Sequence, residues 1–130
     1  MRSIFLFGLG LAMGCAFTAI ALNALAQRSA YPRGVMQVMQ HHYTGLRAGL
    51  RAGNCSGAAH EAEALRLLIE EVGPSVYGSA NPEPPFREYN QRLHAAVDGL
   101  AGAPASDCAA LAPIAERIGN ACDACHRQYR

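Results

Sequence analysis

From about residue 32 onward, apolar side chains recur at steps of three and four, and nowhere do they alternate as a half-buried strand would. The spacing predicts four helices. The first opens at Pro32, a residue suited to a first helical position, carries Met36, Met39, Tyr43, Leu46 and Leu50, and ends at Gly53-Asn54. The second starts near Ser56 as N-cap, places Ala58, Ala62, Leu65, Ile69 and Val72 on one face, and is stopped by Gly73-Pro74. A loop rich in Gly and Pro, 73–85, leads to a third helix with Phe86, Tyr89, Leu93, Ala96 and Leu100, closed by Gly102 and Pro104. The fourth runs from about Asp107 to the end, with Leu111, Ile114, Ile118, Cys122, Cys125 and Tyr129 on its stripe and Pro113 delaying its regular start. Amphipathic helices in this number, mostly on short connections, most simply make an all-α, antiparallel up-down-up-down four-helix bundle.

The N-terminal stretch has a different pattern. Met1-Arg2-Ser3 is followed by an apolar run from Ile4 to Leu22, then by Ala24-Leu25-Ala26 before Gln27. Charge, apolar run and small residues in that order are the layout of a secretory signal cleaved after Ala26. Residues 1–26 therefore read as a signal peptide and 27–130 as one exported, periplasmic domain. The run approaches the roughly 20 residues that span a bilayer, so a retained membrane anchor is the alternative. Gly14-Cys15 adds a lipoprotein reading, although Leu11-Ala12-Met13 fit a lipidation box poorly. With 51% apolar residues in 130, the chain has material for one core. All eleven basic residues are arginine, and without Arg2 ten of them face ten acidic residues. A formally neutral domain lacks the positive surplus that phosphate binding needs, so no nucleic acid partner is expected.

The chemistry concentrates at the end of the chain. Cys122-Asp123-Ala124-Cys125-His126 is a C-x-x-C-H run, the attachment signature of a c-type haem. Two thiols add across the two vinyl groups of the porphyrin, and the adjacent imidazole then reaches the iron. One helical turn supplies all three groups, and both thiols lie on the apolar stripe, so the haem would enter the core. Two other readings of the cysteine pair stay open: a thioredoxin-like couple, which wants a strand before the helix, and a zinc site shared with Cys55 and Cys108. Cys55 follows the first helix and Cys108 begins the fourth. The bundle topology brings them together at the end opposite the haem, where they pair as a disulfide or remain two buried thiols. No paired carboxylates, phosphate-binding glycine loop or activated serine is evident, so the chain does not read as an enzyme.

The ending Cys122-Asp123-Ala124-Cys125-His126-Arg127-Gln128-Tyr129-Arg130 resembles the class II c-type cytochromes, the group containing cytochrome c-prime and its low-spin, methionine-ligated relatives. In that family the haem site lies near the C-terminus and Arg or Lys stands four residues after the histidine, as Arg130 does here. Tyr31-Pro32-Arg33-Gly34-Val35-Met36 is similar to the opening of the family's first helix, with the proline as a departure and the mature chain shorter than usual. The resemblance implies one haem c held covalently by Cys122 and Cys125 near the C-terminal end of the fourth helix, with its iron ligated by His126. In the low-spin members an axial methionine comes from helix one, which falls on Met36. Bundle topology points the same way, because the start of helix one and the end of helix four share one end. Along helix one, Met36 lies about 6 Å, Met39 about 10 Å and His42 about 15 Å beyond Pro32. Met39 and the pair His41 and His42 are the other candidates, and methionines acting as core filler are the plain alternative. His60 and His94 lie on polar faces and receive no role. The expected function is an electron carrier that exchanges electrons with redox partner proteins. A five-coordinate cytochrome c-prime type that takes nitric oxide or carbon monoxide is the alternative, and a non-haem interaction module a third class. The resemblance also brings in a homodimer formed through the first two helices.

Overall fold

In the computed structural model, residues 2–104 and 106–129 are described, those at 2–6, 27–29 and 101 by backbone alone. The described residues form helices and no strands. The elements are α1 (Arg2–Arg51), α2 (Cys55–Leu68), α3 (Val72–Tyr77), α4 (Pro84–Asp98) and α5 (Cys108–Gln128), with 3-10 turns at Ile69–Glu71 and Gly99–Gly102. The chain divides into two compact units, 1–33 and 34–130. In the first, Phe7, Leu11, Phe17, Ile20 and Leu25 are exposed along the helix. A window there of mean hydropathy 1.8 is long and apolar enough to cross a membrane, a property that signal sequences share.

The second unit carries the core. Leu46 of α1, Leu65 of α2, Val97 of α4, and Leu111 and Ile118 of α5 are its largest fully buried side chains. Val35, Met39 and Leu46 hold the α1 face of that core at steps of four and seven, as the helical stripe predicts. Helix α4 packs along α5, and α2 packs on both. Between α1 and α2, His42 Nδ1 lies 2.7 Å from Glu61 Oε2. Cys55 and Cys108 are joined in a disulfide with Cα atoms 5.0 Å apart, tying the start of α2 to the start of α5.

Four local expectations are corrected. Pro32 lies inside α1 and does not open it. The Ala- and Leu-rich residues ahead of it are themselves strong helix formers, so the helix is already established upstream. The N-cap of α2 is Asn54, whose side chain accepts from the Gly57 amide at 2.9 Å, so the helix begins before Ser56. Gly73-Pro74 does not end the second apolar stripe. Pro74 is the third residue of α3, where a backbone amide has no acceptor within its own helix, so a missing N–H costs nothing. The stop comes at Gly78, whose φ of +58° disfavours any residue with a Cβ. Pro113 lies inside α5 without delaying it, because Asp107 caps the helix at once by accepting from the amides of Ala109 and Ala110. Pro84 and Pro85, read from the sequence as the end of the loop, open α4, while the chain leaves the third helix at Ala103, between the Gly102 and Pro104 expected to close it.

Candidate cofactor site

Helix α5 is 21 residues long and carries Cys122, Cys125 and His126 in its last two turns. All three border one narrow apolar cleft of about 40 Å³. Met36, Met39, Gln40 and Tyr43 form the α1 wall; Leu65, Val72 and Leu93 close it from the other elements. The four residues of the α1 wall recur at steps of three, one and three, so a single helix face supplies them. The sequence-expected set of Cys122, Cys125, His126 and Met36 is therefore gathered at one cleft, with Met39 beside it.

The cysteines differ in partner. Cys122 and Cys125 are free, half-buried thiols, while Cys55 and Cys108 are bonded to each other. Burial pushes the Cys122 thiol up to about 11, with the nearby Asp123 carboxylate and Cys125 adding to the effect. Burial raises Cys125 as well. A redox couple of the thioredoxin kind needs a depressed thiol on a strand-helix turn, and neither feature is present among the described residues. The zinc reading fails on its donors. The disulfide consumes two of its four cysteines, and among the described residues no three His, Cys, Asp or Glu side chains converge on a metal-sized site.

The donor set at the cleft is of the kind that a covalently held haem would use. Two protonated thiols and an imidazole stand on one turn, facing apolar side chains and two thioethers across the gap. Met39 is 6% exposed and part of the core, whereas Met36 is only partly buried and packs at the edge of that core. His41 is exposed and His42 is held by Glu61, and neither borders the cleft. His60 is exposed; His94 is partly covered, with Nδ1 3.7 Å from Glu70.

Sequence reasoning missed Gln40 and the position of Tyr43. The signal was available, since Met36, Gln40 and Tyr43 are spaced by four and three, but a polar Gln falls outside a stripe read by apolarity. The Tyr43 hydroxyl sits against Gly119 of α5, where any Cβ would collide with it. Burial raises the Tyr43 phenol, while the Arg47 guanidinium, 5.7 Å from the ring centre, acts in the opposite sense. Gly119 thus lets the phenol ring close the gap between α1 and α5 one turn before Cys122.

Comparisons of the chain with protein-family models, with characterised proteins and with solved structures find no match.

Proposed function

We propose that this chain is an exported class II c-type cytochrome that carries electrons in the periplasm. Its mature part, 27–130, is read as an antiparallel up-down-up-down four-helix bundle built from the second part of α1, α2 with its α3 extension, α4 and α5. The carrying observation is that two free thiols, an imidazole and two methionine thioethers, drawn from the two ends of that segment, border one apolar cleft.

The residues divide the work. Cys122 and Cys125 would hold a haem covalently through thioethers, and His126 would give its iron a nitrogen ligand. Met36 would add a thioether ligand, because Met39 is committed to the core while Met36 stands at its edge. A bound haem supplies reversible one-electron chemistry at iron, and a thioether ligand raises its potential relative to a second imidazole. Leu65, Val72 and Leu93 keep water from that side of the cleft. With His126 and Met36 both engaged, electron exchange would ask little rearrangement of the protein, which suits a carrier that meets redox partner proteins in turn.

The test is the visible spectrum of the oxidised and reduced protein, with carbon monoxide added to the reduced form. The carrier reading predicts low-spin bands that the gas leaves unchanged, and a Met36→Leu variant that becomes high-spin and takes up the gas. A high-spin wild type that shifts with carbon monoxide selects the five-coordinate, gas-binding alternative instead.

A further inference from the structure

The imidazole of His126 is exposed, and among the described residues no side chain or carbonyl is hydrogen-bonded to it. Metal-ligating histidines are ordinarily steered by a hydrogen bond from their second ring nitrogen to a carboxylate or carbonyl. Here the direction of the ring depends on the helical turn that bears it. That turn is the last of α5, which ends two residues later at Gln128, and helix ends fray unless something holds them.

Tyr129 holds it by two bonds. Its amide donates to the Cys125 carbonyl at 2.9 Å and completes the turn around His126. Its phenol donates to Glu83 Oε1 at 2.7 Å, across 46 residues of sequence. The ring is also packed edge-on against Phe86 at 5.6 Å and Tyr89 at 6.1 Å, both on α4. The receiving end is stiff. Glu83 caps α4 with φ −62° and ψ 152°, the extended geometry that a following proline imposes, and Pro84-Pro85 then opens the helix. Phe86 is buried, and its ring meets Tyr77 of α3 at 4.8 Å.

We propose that Tyr129 and Glu83 are positioning residues for His126: their phenol–carboxylate bond fastens the last turn of α5 to the entry of α4 and fixes the direction in which the imidazole leaves the helix. This assignment rests on the haem reading given above. It makes the segment between α3 and α4, which supplies no ligand and no thiol, part of the apparatus that sets the iron's coordination. The bond is charge-assisted, so a neutral acceptor of the same shape weakens it, while loss of either partner removes it.

The test compares the haem-loaded protein with Tyr129→Phe, which keeps the ring, and with Glu83→Ala and Glu83→Gln. Two readouts are taken: amide hydrogen exchange over residues 126–129, and the midpoint potential with the low-spin spectrum. Tyr129→Phe and Glu83→Ala should each speed exchange roughly three- to tenfold, the range for losing one partly exposed charged hydrogen bond. Both should shift the potential and introduce a high-spin fraction. Glu83→Gln should restore most of both readouts, and the Tyr129→Phe/Glu83→Ala double variant should be no worse than either single one. Faster exchange with an unmoved potential and spectrum reduces the bond to a structural tie and overturns the assignment. Exchange that is unchanged in both single variants overturns it too. Absence of covalent haem from the wild type is seen before any variant is compared, and it removes the haem reading and this assignment together.

Discussion

Cys122 and Cys125 are neutral thiols at physiological pH because the apolar wall of the cleft disfavours their charged form. A buried thiol of this kind exchanges slowly with disulfides, since the thiolate is the attacking species. In the same chain Cys55 and Cys108, placed at two helix starts, are already oxidised. Environment thus sorts the four cysteines of the second unit into one disulfide and one pair of free thiols. Tyr129 gives a pH signature at the same scale. Its bond to Glu83, then burial, holds the phenol protonated and pushes it up to about 12 from an ordinary 10.0. Because the folded value is raised, the contribution of that bond is fully present below about pH 10 and is lost as pH rises through about 12. Ultraviolet titration of phenolate absorbance should therefore show a late-titrating tyrosine in the wild type that is missing from Tyr129→Phe. Superimposable late limbs in the two proteins contradict this reading of the bond.

Among the elements, α5 does most to set the site, and its beginning is fixed twice, by the Asp107 cap and by the Cys55–Cys108 bridge. The bridge closes a loop of 53 residues, which by loop-closure entropy corresponds to about 4 kcal/mol. Replacing both cysteines with alanine should lower the free energy of chemical denaturation by an amount of that order, while thioether formation at the other end of α5 survives. A double variant as stable as the wild type would show that the bridge contributes nothing. The helical stripes were legible in the sequence because burial on one face forces a step of three and four. The prolines were not. Pro32, Pro74 and Pro113 are tolerated at positions that a local rule reads as starts or stops, and the outcome depends on what lies upstream. For Pro74 it was the 3-10 turn at Ile69–Glu71 that let α3 begin, a feature with no signature in the apolar spacing. Asn54 and Ser56 are equally good caps in sequence, and only the turn at Gly53, with φ +69°, decides between them.

For the whole molecule, the proposed function joins export, four amphipathic helices and a C-x-x-C-H turn, with an apolar cleft that would receive a covalently fixed haem. The grouping of both thiols with His126 was legible because the C-x-x-C-H spacing puts them on one helical turn. The approach of Met36 and Met39 was legible from bundle topology. Leu65, Val72 and Leu93 stood on predicted stripes, but Gln40 was not legible, since a polar side chain falls outside a stripe read by apolarity. The most direct test is the intact mass of the protein, expressed with haem-maturation machinery and unfolded in acid and organic solvent, beside a Cys122→Ser/Cys125→Ser double variant. Covalent attachment predicts a wild type whose mass exceeds its polypeptide by one haem and whose colour stays with the unfolded chain, and a double variant with the polypeptide mass alone. A wild type that shows only its polypeptide mass would contradict the central claim.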